Sequence, residues 1–439
     1  MRAIIVLDLG FGDAGKGLVT DFLVRRCGVR LVVRYSGGAQ AGHNVVAPDG
    51  RHHTFSQFGA GTLVPGVRTF LSKHVVVHPT ALLVEEATLN SIGVTDAFER
   101  INVSEQALVV TPYHQAAARL RELARGIARH GSCGVGVGET VNHAITKPDE
   151  SIRAGDLRNR SVLRRKLERI REREHSQVIE LVRVLAASGQ AKAEMVAFER
   201  SDTSGRWIAL ATQIAGLVRD DSSWATTATA HSTVVFEGAQ GVLLDEKFGF
   251  HPYTTWSCCT NAPALEMLTQ AAPGAELLQI GVLRAYAVRH GPGPFPTEAM
   301  ELAGVPFDHN KTNVWQGAVR RGWFDAVLAR YALDIAGSVD TLAITHLDWL
   351  PKLKEWTHCT AYDPGVPLRP SFADSLERQA ELGELLASTR PVLSRCPATE
   401  ESVLDRIESL VSKPVMIGSR GPSAPQVFIR PDAGFGLRL

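Results

Sequence analysis

The 439 residues carry 47 lysines and arginines against 46 aspartates and glutamates, and this net charge of +1 gives no reason to expect nucleic acid or an anionic membrane as a partner. The length suffices for a large core and, at about 100 to 200 residues per domain, for two to four domains or one enlarged α/β unit. Six cysteines, with Cys258 and Cys259 adjacent and no Cys-x-x-Cys pair, read as free thiols rather than a disulfide scaffold or a thiolate zinc site.

Met1-Arg2-Ala3-Ile4 runs directly into an apolar strand without a signal-like segment, and no stretch of about 20 apolar residues follows, so a cytoplasmic protein is expected. That strand, Ile4 to Leu7, ends in Gly10-Phe11-Gly12-Asp13-Ala14-Gly15-Lys16-Gly17 and opens into a helix expected over Leu18 to Arg26. A glycine-rich strand-to-helix turn aims backbone N–H groups at a bound anion. Here it also carries an acid or base, Asp13, and a phosphate-neutralising cation, Lys16. It is not the usual phosphate loop, because Leu18 stands where a metal-binding hydroxyl belongs. Close packing of strand on helix, with Lys16 solvated, is the structural alternative.

A second strand, Val29 to Val33, leads into Arg34-Tyr35-Ser36-Gly37-Gly38-Ala39-Gln40-Ala41-Gly42-His43-Asn44. In this loop His43 is suited to donate a proton or hydrogen bond to a developing oxyanion, a role that favours a pKa near neutrality. A packed or surface histidine is the bland reading. Strands expected at Val75 to Val77 and Ala107 to Val110, and a helix over Pro79 to Leu89, continue the alternation. Arg158 to Glu174 is dense in Arg and Glu, with Leu163, Leu167 and Ile170 at helical spacing, and reads as a solvated amphipathic helix.

Later strands are expected at Thr233 to Phe236, Leu277 to Leu283, Thr341 to Thr345 and Val415 to Ile417. Continuous apolar strands separated by helices predict an α/β fold with a large, mostly parallel central sheet covered by helices on both faces. Ligands of such sheets sit beyond the carboxyl ends of the strands. Gly291 to Asn313, rich in turn formers, and Tyr362 to Glu400, which mixes prolines with short helical runs, read as excursions from one large domain spanning 1–439.

Phe236-Glu237-Gly238-Ala239-Gln240-Gly241 repeats the strand-then-glycine form, and Gln240 offers an amide donor and acceptor to a heterocycle edge, with hydroxyls of Thr255 and Ser257 close behind in sequence. In Thr345-His346-Leu347-Asp348 a carboxylate just past a strand can accept from N1 and N2 of guanine, a donor pair that adenine lacks; a helix cap is the alternative role.

Together these segments resemble the adenylosuccinate synthetase family over nearly the whole chain. The resemblance is carried by Gly12-Asp13-Ala14-Gly15-Lys16-Gly17, Gly37 to His43, Phe236 to Gly241, Pro252-Tyr253, Gly293-Pro294-Phe295-Pro296-Thr297-Glu298 and Gly322-Trp323-x-Asp325. It implies a homodimer that uses GTP and Mg2+ to phosphorylate the 6-oxygen of IMP and then lets the amino group of aspartate displace phosphate. By the same resemblance Asp13, His43 and Lys16 are catalytic. Asp13 removes the N1 proton and, with the Gly42 carbonyl, holds magnesium. Gly12, Gly15, Lys16, Gly17, Gly42, His346, Asp348, Ser419 and Gly421 bind the donor nucleotide and its metal. Gln40, Ser132, Gln240, Thr255 and either Arg320 or Arg321 contact the substrates.

Four departures bear on chemistry. Leu18 replaces a second lysine of the first turn. In Val314-Trp315-Gln316-Gly317-Ala318-Val319-Arg320-Arg321, Gly317 and Val319 stand where the family has arginines for the aspartate carboxylate, removing a planar bidentate clamp. Val135, within Gly131 to Gly138, replaces an arginine of the monophosphate loop, and the arginine supplied across family dimers has a match only near Lys147. His346 replaces the lysine that packs on guanine. The expectation is a divergent GTP-dependent carbon–nitrogen ligase acting on a purine nucleotide or related carbonyl substrate and an amine or amino acid. Ordinary adenylosuccinate synthesis and an inactive GTP-binding regulator are the alternatives.

Overall fold

The computed structural model describes the chain except residues 186–187, 229–231, 303, 305–313, 367, 371–374 and 432–439. Its centre is the strand Arg2–Asp8, buried from Ala3 onward. Ile4, Ile5, Val6 and Leu7 are each 0% exposed, and burying such side chains contributes about 1.5–3 kcal/mol apiece. On one side of it lie Thr233–Glu237, Leu31–Arg34, Arg68–Leu71, Ile101–Ser104 and Val218–Arg219, in that order; on the other lie Glu276–Arg284, Thr341–Thr345, Val415–Ser419 and Val427–Ile429. Every neighbouring pair in this ten-stranded sheet is parallel except the last, Val415–Ser419 with Val427–Ile429.

Alternation along the first strand assigns the two faces. Ile4 and Val6 pack with Val19, Phe22 and Leu23 of the helix Lys16–Cys27, whereas Ala3 and Ile5 pack with Ala264, Met267 and Leu268 of the helix Ala262–Ala271. Helices therefore cover both faces of a large, mostly parallel sheet. A further core joins the helices Pro112–Ala124, Arg160–Val184, Gly189–Glu199 and Thr203–Ala211, in which Leu163, Leu167 and Ile170 are inward-facing residues of the long mixed-charge helix.

Two sequence expectations need correction. The apolar runs at Val75 to Val77 and Ala107 to Val110 do form strands, Val76–Val77 and Leu108–Val109, but these pair with each other in a separate two-stranded sheet. The main sheet instead takes Arg68–Leu71 and Ile101–Ser104, whose polar members disguise them. The stretch from Tyr362 to Glu400 holds, besides the helix Leu376–Ser388, the strand Arg390–Pro397, which includes Pro391 and Pro397 and pairs antiparallel with Glu355–Asp363. Most of the later part of Gly291 to Asn313 lies outside the described residues. Among the described residues no helix is long and apolar enough to cross a membrane.

Candidate functional site

The turn after the first strand is built around Asp8, which is 1% exposed. Its Oδ1 accepts from the Gly10 amide at 2.8 Å, and its Oδ2 accepts from the Ala14 amide at 2.9 Å and from Lys16 Nζ at 3.0 Å. Lys16 also donates to the Gln240 carbonyl at 2.6 Å. The lysine is thus a buried cation with a buried counter-ion, not a solvated side chain. Gly12, Asp13 and Gly15 all lie at positive φ, at 89°, 59° and 100°, curling the turn around its own amides. Close approach fixes two glycines: a Cβ on Gly17 would sit 2.9 Å from the Asn44 carbonyl oxygen, and one on Gly241 would sit 2.2 Å from that of Gly10.

His43 begins the strand His43–Val46 and is 5% exposed. Its Nδ1 lies 2.7 Å from Glu237 Oε1. A carboxylate can only accept, so Nδ1 carries the proton and Nε2 is the nitrogen left for a ligand. Glu237 is fully buried, and its Oε2 accepts from the Ala60 amide at 3.0 Å with Arg34 Nε at 3.9 Å. Burial works to raise the Glu237 pKa, but His43, Arg34 and the Ala60 amide outweigh it and hold the carboxyl below its ordinary value. Burial, and then the Arg34 charge, push the His43 pKa down to about 4 against the pull of Glu237. The expectation of a near-neutral value is therefore corrected: His43 is uncharged in the free protein at neutral pH.

These parts face a cavity of about 390 Å³ beyond the carboxyl ends of the central strands. Gly12, Asp13, Gly15, Lys16 and Gly17 line it from the first turn, Gln40, Gly42 and His43 from the second, and Gln240 from the third. His346, Asp348 and Gly421 complete the far side. Asp348 is exposed in the short helix Leu347–Lys352, whose N-cap position belongs to His346 at φ 61°, so the helix-cap alternative for Asp348 is not what the fold adopts. Gln40 Nε2, Gln40 Oε1, Gln240 Oε1 and His43 Nε2 are buried with no hydrogen-bond partner among the described residues. Leaving such groups unpaired is costly, about 1–3 kcal/mol each, and four of them on one cavity wall mark a surface shaped for a polar ligand.

The family model for adenylosuccinate synthetase matches residues 5–428. The chain belongs to the adenylosuccinate synthetase family. It is 30% identical to the adenylosuccinate synthetase of Magnetococcus marinus over 98% of each chain, and 32% identical to that of Pseudomonas entomophila, again over 98% of each. Among solved structures, the fully ligated adenylosuccinate synthetase of Plasmodium falciparum superposes with a TM-score of 0.77 at 20% identity, covering 98% of this chain and 100% of that one. The succinoaminodeoxyadenylate synthetase of cyanophage S-2L, bound to dGMP and to dATP as an energy donor, has a TM-score of 0.60 at 19% identity, covering 98% and 96%. At these identities the two structures speak for the fold.

Several residues expected in an adenylosuccinate synthetase site lie elsewhere. Arg320 is fully engaged: its guanidinium donates to the Gly291 carbonyl at 3.0 Å, the Gly293 carbonyl at 2.7 Å and Glu298 Oε2 at 2.8 Å. It straps a loop instead of facing the cavity. Arg321 follows it in the strand Val319–Gly322 and is not a lining residue. Ser419 is buried and donates to the Gly421 carbonyl at 2.6 Å, so it shapes the loop that Gly421 presents. Thr255 is tied through its amide to the Leu244 carbonyl at 2.8 Å and does not line the cavity. Ser132 is exposed on a loop whose Gly131 and Ser132 amides donate to Glu122 Oε1, and it is not a lining residue of the cavity. Trp315 packs against Gly134 with Arg119 5.5 Å from its ring, and so shapes that loop rather than the pocket.

Sequence reasoning missed other members of the wall. Arg284, at the end of its strand, donates to the Asp13 carbonyl at 2.5 Å and to the Tyr286 hydroxyl at 3.0 Å. His290, Gln316, Trp349 and Lys352 also line the cavity, with Lys352 Nζ 4.1 Å from the Trp349 ring centre. The rule that ligands gather beyond strand ends pointed to Arg284 and Tyr286, but nothing in their local sequence singled them out.

Proposed function

We propose that this chain is a divergent GTP-dependent carbon–nitrogen ligase of the adenylosuccinate synthetase family, which phosphorylates the carbonyl oxygen of a purine nucleotide or related lactam and couples the activated carbon to an amine or amino acid. The observation that carries the reading is the convergence of Asp13, Lys16, His43, Gln240 and Asp348 on one cavity while Arg320 is spent on structural contacts. The first half supports phosphoryl transfer, and the second favours an amine partner gripped differently from aspartate.

In this reaction Asp13 takes the N1 proton of the lactam, and the electron pair moves onto the 6-oxygen, which attacks the γ-phosphorus of GTP as the bond to the β,γ-bridging oxygen breaks and GDP leaves. The amine then attacks C6, the C–O bond breaks, phosphate leaves, a far better leaving group than hydroxide, and the new C–N nitrogen gives up its extra proton to the departing phosphate or solvent. His43 Nε2 enters the cycle unprotonated. Negative charge arriving beside it favours proton uptake, and Glu237 then faces an imidazolium able to donate to that charge. Lys16 needs no ordering to meet the phosphates, because Asp8 already fixes it. Asp13 and Gly42 both line the cavity, and a carboxylate and a backbone carbonyl are the hard oxygen donors that would hold magnesium there. Bound there, magnesium would neutralise charge on the transferring phosphoryl group.

On the donor side, Asp348 is suited to accept from guanine N1 and N2, which favours GTP. The protein acts as a homodimer with its active sites near the subunit boundary, where Lys147, exposed beyond the helix Val137–Thr146, is the candidate cross-subunit cation. Ordinary adenylosuccinate synthesis is the second reading, favoured by relatives of that name along nearly the whole chain. Phosphate release from Mg-GTP and IMP, with aspartate and with a panel of other amines, followed by mass analysis of the product, separates the readings. Our reading expects an adduct with an amine other than aspartate. An adduct formed only with aspartate supports the second, and GTP binding with no release across the panel marks an inactive regulator.

A further inference from the structure

Away from the cavity, three helices bring His114, His143 and Glu174 together in the helical core. His114 belongs to Pro112–Ala124, His143 to Val137–Thr146 and Glu174 to Arg160–Val184, and their exposures are 1%, 0% and 2%. His114 Nε2 lies 3.4 Å from His143 Nδ1, which lies 4.0 Å from Glu174 Oε1. One ligating atom from each residue falls within 4.8 Å of the other two. No step of the ligase reaction uses these groups.

The geometry points to a buried zinc site formed by His114, His143 and Glu174, structural in role and separate from the magnesium of the reaction. Tetrahedral zinc, with bonds of about 2.0–2.2 Å to nitrogen and oxygen, sets its ligand atoms about 3.4 Å apart. The two imidazole nitrogens already have that separation; the carboxylate oxygen, 4.0 Å from His143 Nδ1 and within 4.8 Å of both nitrogens, must move in by about an ångström, a shift that rotation of the Glu174 side chain supplies. Two imidazoles and one carboxylate suit zinc better than magnesium, which prefers an all-oxygen shell. The fourth position is left to water.

The surrounding contacts prepare these atoms for metal. Thr140 Oγ1 donates to the Gly136 carbonyl at 2.9 Å, so toward His114 Nδ1 at 3.2 Å it acts as acceptor. That places the His114 proton on Nδ1 and turns the Nε2 lone pair toward His143, the orienting contact that metal-bound histidines characteristically have. Glu174 Oε2 accepts from Arg121 Nη1 at 3.1 Å, leaving Oε1 directed at the histidines. Arg121 also pairs with Glu139, so two carboxylates face one guanidinium in the immediate surroundings, and Arg173, which donates to Thr146 Oγ1, is the next cation. A bound cation would tie three helices together at a point where, without it, a carboxylate oxygen and two neutral imidazoles share one long contact.

The test uses the whole protein, grown with zinc, dialysed against metal-free buffer and assayed by elemental analysis. We expect about one zinc per chain, retained in excess Mg2+. After chelation, added Zn2+ should raise the melting temperature by several degrees, and Co2+ should give the intense visible absorption of a tetrahedral nitrogen and oxygen site. Glu174→Gln and His143→Gln should each bind zinc at least tenfold more weakly. Wild-type protein without stoichiometric zinc and without a Zn2+-dependent melting shift overturns the site, as does zinc held equally by folded His143→Gln. Because the wild-type measurements need no variant and no turnover, a variant that fails to fold leaves them decisive.

Discussion

Replacing Asp8 by asparagine removes the counter-ion of Lys16 and changes little else in volume. Asp8 oxygens accept three bonds, from the Gly10 amide, the Ala14 amide and Lys16 Nζ, and both side chains are at most 4% exposed. Asparagine keeps one acceptor oxygen and turns an NH2 toward a donor, so at least one N–H loses its partner. Of its two hydrogen bonds Lys16 Nζ then keeps the one to the Gln240 carbonyl, at 2.6 Å. Breaking a buried pair by removing one member costs about 3–5 kcal/mol, against about 0–1 for an exposed pair. For a chain of 439 residues the unfolding entropy is about 0.9 kcal/mol/K, so Asp8→Asn should lower the melting temperature by about 3–5 °C. The double variant Asp8→Asn/Lys16→Met, measured with both single variants by calorimetry and denaturant unfolding, should be markedly more stable than the sum of the single losses allows. A single-variant loss below about 1 kcal/mol, or strictly additive losses, would refute the buried pair.

Asp13→Asn should leave the melting curve near wild type and lower turnover by at least a hundredfold, since the base is lost; a steady-state phosphate-release assay with unchanged kcat removes that assignment. Asp348→Asn should weaken GTP more than ATP, and equal changes in the two affinities measured by titration calorimetry would count against guanine readout. His43 refuses a proton down to about pH 4, whereas an unfolded histidine accepts one near 6.5, so stability falls as pH drops through that window. Between pH 7 and 5 this one group should cost about 2 kcal/mol, and in urea unfolding His43→Gln should show a correspondingly smaller loss than wild type. By the same logic Glu237→Gln should move the His43 imidazole pKa further down in an NMR titration, because the carboxylate is what pulls it up.

The central strands were legible because they are continuous apolar runs with turns at their ends. Thr341–Thr345 matches its expected range, and Arg2–Asp8 extends its expected run by a few residues. Arg68–Leu71 and Ile101–Ser104 were not, since Arg68, Thr69 and Asn102 interrupt the apolar pattern; Thr69 is tolerated because its hydroxyl accepts from the Gly59 amide at 3.1 Å. Asp13, His43, Gln240 and Asp348, which the fold gathers around one cavity, stood out in the sequence because each lies in a segment that begins at the carboxyl end of a central strand. Asp8 was hidden inside the apolar run, and its role exists only once the turn folds Lys16 back onto it. Glu237 was quoted as part of a motif, but its bond to His43 spans 194 positions and no local pattern reveals it. Arg320 misled for the opposite reason: its neighbours in sequence belong to the amino-acid loop of the resemblance, while its guanidinium is consumed by carbonyls and Glu298.

The most direct measurement follows an oxygen atom. IMP, or whichever purine lactam supports turnover, would be labelled with 18O at the 6-carbonyl and incubated with Mg-GTP and the productive amine, and the released phosphate would be analysed by mass spectrometry. Phosphoryl activation of the lactam requires one labelled oxygen in each phosphate released with product, and its loss together with product in Asp13→Asn. Unlabelled phosphate accompanying product, or product formed without GTP cleavage, would contradict the assignment of this cavity to phosphoryl transfer onto a carbonyl oxygen.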